Sequence, residues 1–114
     1  MFKDWKAEEA HVKKSFGELG KKYPKMLQAY GALSQAMADS ALDAKTRELI
    51  ALAVAVTTRC ESCIAVHADE AVKAGATEQE VASALATAIA LNAGAAYTYS
   101  LRALEAFNVN SSQD

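Results

Sequence analysis

Apolar residues return along this chain at the three- and four-residue intervals of a helix. Phe2, Trp5, Val12, Phe16 and Leu19 fall on one face with Lys, Glu and Asp between them, which predicts an amphipathic helix over residues 2–19 closed by Gly20. Pro24 suits the first turn of a second helix, because its fixed φ is helical and its missing N–H has no partner there anyway. The apolar set of that helix is Met26, Leu27, Tyr30, Leu33 and Met37, and Asp39-Ser40 marks its end. Asp43 is placed to cap a third helix running to about Thr57. Residues 49–56 are apolar on every side of it, so this helix is predicted to be buried. The weak helix formers Thr57-Thr58-Arg59 separate it from a fourth helix, which begins near Cys60 and stops at Gly75. Thr77-Glu78-Gln79-Glu80 is a capping box, with Ala76 and Val81 as its staple, and it starts a fifth helix reaching Phe107. The tail, residues 108–114, is predicted to fray. No run of β-branched residues alternates with polar ones, so the expected fold is all-α, a bundle of about five to six helices.

Composition bounds this picture. With 114 residues, 52% hydrophobic and 23% charged, the chain suits a single domain over residues 1–114, with no internal repeat or linker. The formal charge is −2 and the charges are dispersed, so no basic stripe is available for nucleic acid. The start Met1-Phe2-Lys3-Asp4-Trp5-Lys6 mixes charge with aromatics where a secretory signal needs an apolar run, and a cytoplasmic location is expected. Residues 81–101 carry no charge and are long enough for a bilayer. Their bulk is Ala, Ser, Thr, Gly and Tyr, however, and no Lys/Arg cluster flanks them, so close helix packing is expected and a membrane is not. A chain this short encloses only one helix fully, and here two want cover. The uncharged fifth helix is therefore expected to close against other copies in a homo-oligomer.

Chemistry concentrates in Cys60-Glu61-Ser62-Cys63-Ile64-Ala65-Val66-His67. Positions 60, 63 and 67 are spaced i, i+3, i+7, so on a helix both sulfurs and the imidazole share a face. In the first turn, unpaired N–H groups and the helix dipole favour thiolate, the form that attacks peroxides and disulfides. Were the third and fourth helices continuous, Glu48 and Cys60 would be about 18 Å apart. A hairpin at Thr57-Thr58-Arg59 instead leaves Glu48 about 15 Å and His67 about 10 Å from the turn, within reach of each other. Glu48, His67 and a cysteine then form a relay in which the carboxylate orients the imidazole and the imidazole moves a thiol proton.

Glu48 followed by Cys60-x-x-Cys63-x-x-x-His67 resembles the Glu-x11-Cys-x-x-Cys-x-x-x-His signature of the AhpD-like alkylhydroperoxidases, in the carboxymuconolactone decarboxylase superfamily. Leu42-Asp43-Ala44-Lys45-Thr46-Arg47-Glu48-Leu49 is similar to the opening of that family's Glu-bearing helix, and Ala103-Leu104-Glu105-Ala106-Phe107 to the close of its short members. The similarity covers residues 40–107. It implies an all-α fold assembled into trimers or hexamers and a peroxidase working on a hydroperoxide substrate. Cys63 would be the thiol that becomes a sulfenic acid, and Cys60 its resolving partner. A dithiol electron donor, in that family a lipoyl-bearing protein, would reset the pair. No cofactor and no metal are implied, and the cysteine pair sets the chain apart from the decarboxylases proper.

Blander assignments stand beside this one. Free cysteines are among the most buried residues and can be inert. Cys60, Cys63, His67 and Glu48 are also four plausible zinc ligands, which would make the chain a zinc-binding or thiol-redox interaction protein, and a lyase of the decarboxylase type is the remaining alternative. His11 reads as a surface residue and Met26 and Met37 as core filler. Tyr97, Tyr99 and Arg102 read as packing or subunit contact ahead of a substrate pocket.

Overall fold

The computed structural model describes residues 2–112, and among them there are five helices and no strand: α1 (Trp5–Lys22), α2 (Pro24–Ala38), α3 (Ala44–Thr58), α4 (Glu61–Lys73) and α5 (Glu78–Ser111). Every helix start but that of α2 carries a side-chain cap. Asp4 accepts from Ala7 N–H, Asp43 from Thr46 N–H and Thr77 from Glu80 N–H, with the Glu80 side chain returning the bond to Thr77 N–H. Pro24 is the first residue of α2. Three boundaries differ from expectation. Asp4 delays α1, leaving Phe2 outside it and 99% exposed. Gly20 does not end α1; the helix runs two residues further because the glycine lies under Leu27 of α2, whose Cγ and Cδ2 occupy the space a Cβ would need. Helix α5 continues past Phe107 to Ser111, so residues 108–111 are helical; of the tail expected to fray, residues 113 and 114 lie outside the described residues.

Helices α3, α4 and α5 pack on one another through α3, while α1 packs on α4 and carries α2 with it. The buried apolar side chains are Leu52, Ala55, Ala65, Ala71 and Ala88, so the core of the single chain is small and built mostly of alanine. The expectation that α3 is wholly buried is not met within one chain. Leu52 and Ala55 are covered, but Ile50 and Val54 on its other side are 48% and 55% exposed. Met26 and Met37, expected in the core, are 61% and 53% exposed, since α2 packs mainly on α1. Helix α5 is long and apolar enough to cross a membrane by length and composition alone. From Ile89 onward every residue of it is exposed.

Candidate active site

The α3–α4 corner builds the site. Helix α3 ends in a Schellman motif: Arg59 takes the left-handed conformation (φ 55°, ψ 46°), Arg59 N–H donates to Val56 C=O at 3.3 Å and Cys60 N–H to Ala55 C=O at 2.9 Å. This reverses the chain and sets Cys60 as the N-cap of α4, its Sγ accepting from Cys63 N–H at 3.2 Å. Cys60 and Cys63 are joined as a disulfide, both half-buried. The pair thus sits on the first turn of α4, where the helix N–H groups point.

The reversal also brings Glu48 against His67. Nδ1–H of His67 donates to Oε2 of Glu48 at 2.7 Å, with the His67 and Glu48 side chains 30% and 17% exposed. A carboxylate only accepts, so the neutral ring carries its proton on Nδ1 and keeps a lone pair on Nε2. His67 and Cys63, though not Cys60, line a common cleft of about 430 Å³ to which α1 and α2 contribute Phe16, Leu27 and Tyr30. Sequence reasoning missed these α1 and α2 residues. Their periodicity marks them as apolar, but nothing in it says that α1 and α2 face α4.

Several charges around the site are paired. Lys3 bonds the carboxylate of Glu61, the first of the two residues between the cysteines, and this contact holds the Lys3 ammonium above its ordinary pKa. Between α1 and α4, Glu9, Asp69 and Glu70 bring their carboxylates together. Lys13 reaches Glu9 at 3.2 Å and Lys73 reaches Asp69 at 3.0 Å. The hydrogen bond and charge of Lys73 hold Asp69 below the usual carboxylate range. Of the four residues considered as zinc ligands, the two sulfurs are joined to each other and Nδ1 of His67 is bonded to Glu48. His11 is exposed as expected. Tyr97 and Tyr99 are exposed on α5, with the Arg102 guanidinium 5.0 Å from the Tyr99 ring, and none of the three lines the cleft.

Residues 24–106 match the carboxymuconolactone decarboxylase family. Over 110 residues the chain is 78% identical to an uncharacterised protein of Haemophilus influenzae, covering 96% of this chain and 97% of that one. It is 40% identical over 91 residues to uncharacterised protein 4 in the cox locus of Paracoccus denitrificans, covering 79% of this chain and 82% of that one. Among solved structures, an apo carboxymuconolactone decarboxylase family protein from Legionella pneumophila superposes with a TM-score of 0.73 at 34% identity, covering 95% of this chain and 97% of that one. A protein from Methanobacterium thermoautotrophicum gives a TM-score of 0.67 at 31% identity, covering 72% of this chain and 93% of that one. The chain belongs to the carboxymuconolactone decarboxylase family, an all-helical family that includes enzymes.

Proposed function

We propose that this chain is a thiol-dependent hydroperoxide reductase in which Cys63 attacks, Cys60 resolves, and Glu48 and His67 manage the proton. The observation that carries the reading is the 2.7 Å Glu48–His67 bond beside a helix-start cysteine pair, because it leaves Nε2 of His67 free for proton transfer in the cleft that Cys63 lines. His67 takes the Cys63 proton, and the thiolate attacks the terminal peroxide oxygen. The O–O bond breaks, the departing alkoxide takes the proton back from His67 and leaves as an alcohol, and Cys63 is left as a sulfenic acid. The Cys60 thiol then displaces its hydroxyl as water, forming the Cys60–Cys63 disulfide. A dithiol donor returns both cysteines to thiols through a mixed disulfide and becomes a disulfide itself; a lipoyl-bearing protein would supply that chemistry. The enzyme works as a closed homo-oligomer, a trimer or hexamer, in the cytoplasm, without cofactor or metal.

The test is consumption of an organic hydroperoxide with dihydrolipoamide as donor. Cys63→Ser abolishes turnover, whereas Cys60→Ser leaves a sulfenic acid or mixed disulfide trapped at Cys63, visible by mass spectrometry. Sulfenylation confined to Cys60 would reverse the two roles, and absence of dithiol-dependent turnover with any hydroperoxide defeats the reading.

A further inference from the structure

The first turn of α4 gathers negative charge once its cysteines are reduced. Glu61 opens the helix and stands between Cys60 and Cys63, either of which can become a thiolate. The N–H groups of that turn favour carboxylate and thiolate alike, but the two repel, so an unpaired Glu61 would hold the thiols protonated. Glu61 is not left unpaired. Lys3, fifty-eight positions earlier in the chain, bonds its carboxylate. Asp4 caps α1 and α1 packs on α4, which fixes the residue just ahead of that cap over the start of the other helix.

The Lys3 ammonium also lies 3.6 Å from Glu8 and 5.8 Å from the centre of the Trp5 ring. Lys3 and Glu8 are half-buried, whereas Glu61 faces water. The bond to Glu61 raises the ammonium above its ordinary pKa, so it stays charged across the range in which thiols ionise. Other charges near the cysteines have partners of their own. Lys13, which lines the cleft with Cys63, is 3.2 Å from Glu9, and His67 bonds Glu48. To the same cleft α2 brings the phenol of Tyr30, and Arg59, next to Cys60, is exposed. Without Lys3, the carboxylates of Glu8 and Glu61 would stand beside the cysteine pair with no ammonium between them.

We infer that Lys3 is a positioning residue of the thiol site that acts through Glu61: by neutralising that carboxylate it lets the start of α4 favour the thiolate of the cysteine pair. Its effect on peroxide attack rests on the peroxidase reading of Cys63; its effect on the thiolate does not. An ion pair that merely pins α1 to α4 behaves differently, because breaking it from either end acts alike. A charge effect has opposite signs at the two ends. Lys3→Met leaves the Glu61 carboxylate bare and disfavours the thiolate, whereas Glu61→Gln removes the repelling charge and favours it.

The measurement is the thiolate fraction of the reduced protein at neutral pH and low salt, read from its ultraviolet absorbance. Lys3→Met is expected to lower that fraction about threefold, Glu61→Gln to raise it by about the same factor, and Lys3→Arg to keep it near the native value. Molar salt, with a Debye length of ~3 Å, should shrink both differences. In the Glu61→Gln background, Lys3→Met should do less than it does alone. A native thiolate fraction in folded Lys3→Met, an equal loss in Lys3→Arg, or changes of the same sign in Lys3→Met and Glu61→Gln overturn the inference. Hydroperoxide consumption with dihydrolipoamide is followed in the same proteins. Opposite thiolate shifts without any turnover uphold the role of Lys3 and defeat the peroxidase reading, whereas turnover with no thiolate shift defeats this inference alone.

Discussion

Glu48 and His67 stand nineteen positions apart in the chain and 2.7 Å apart in the fold, and the proposed chemistry turns on that contact. A relay of this kind has a measurable signature. Glu48→Gln keeps the size but can no longer charge or orient the imidazole, and His67→Gln removes the base. Each is expected to slow peroxide oxidation of Cys63 by ~10²-fold or more in stopped-flow measurements, with the protein still folded. The double variant should be little worse than either single one, because both act through the same proton. Full activity in Glu48→Gln would leave that residue a structural role only. This pairing was legible in the sequence: weak helix formers between two helical segments imply a hairpin, and helix rise then fixes which residues meet. The Lys3–Glu61 bond was not, because a lysine ahead of the first helix carries no periodic signal that assigns it a partner.

The elements show the same contrast in paired form. Helices α3 and α4 end in the same hydrogen-bonding motif; in α4, Gly75 N–H donates to Val72 C=O and Ala76 N–H to Ala71 C=O, both at 3.0 Å, with Gly75 at φ 86°. The glycine announced its turn. The other left-handed position is Arg59, a residue with no preference for that conformation, so the break was legible only from the threonines before it. Arg59→Gly is accordingly expected to stabilise the protein by roughly 0.5–1 kcal/mol, relief of left-handed strain being partly offset by added freedom in the unfolded chain. Gly75→Ala should destabilise by about 1 kcal/mol. Urea unfolding at fixed protein concentration checks both, and a destabilised Arg59→Gly would mean that the arginine side chain contributes more than its backbone costs. The caps carry a pH dependence. Bonds to backbone N–H groups hold Asp43 and Glu80 below their ordinary carboxylate range, Asp43 through Thr46 and Glu80 through Thr77, with Lys45 adding to the latter. Groups lowered in the folded state stabilise it above their unfolded pKa, and that contribution is lost as pH falls through the folded one. Acidification below the usual carboxylate range should therefore expose the first-turn amides of α3 and α5 to hydrogen exchange ahead of the helix interiors. Uniform protection down to acid pH would count against the caps.

At the scale of the whole molecule, the single chain is more open than a compact domain of its length. Its radius of gyration is 19.3 Å, where a compact domain of this length has about 13 Å, and its accessible surface is 8983 Å², where about 6,000 Å² is usual. The excess of about 3,000 Å² is of the size that permanent subunit interfaces bury. Much of it is apolar and localised. Helix α5, about 51 Å long, makes its last side-chain hydrogen bond to α3 at Asn92, which donates to Thr57 Oγ1, and beyond it Leu101, Leu104 and Phe107 stand 55%, 58% and 68% exposed. The absence of charge over residues 81–101 signalled that α5 needs cover. It did not signal that the outer side of α3 needs it too, because a helix apolar all round reads the same whether its own chain or another encloses it. Closed symmetry is the expected arrangement, since an open contact between such surfaces would propagate into fibres. An arginine at Leu104 would put a charge into that interface at a cost no rim residue could offset, while leaving the α3–α4–α5 core untouched. Sedimentation equilibrium at micromolar concentration is expected to find an assembly for the native protein and smaller species for Leu104→Arg, with the native Tm rising with protein concentration. A stable 12.1 kDa monomer with an unchanging Tm would refute the assembly, and an intact Leu104→Arg oligomer would move the interface away from the second half of α5.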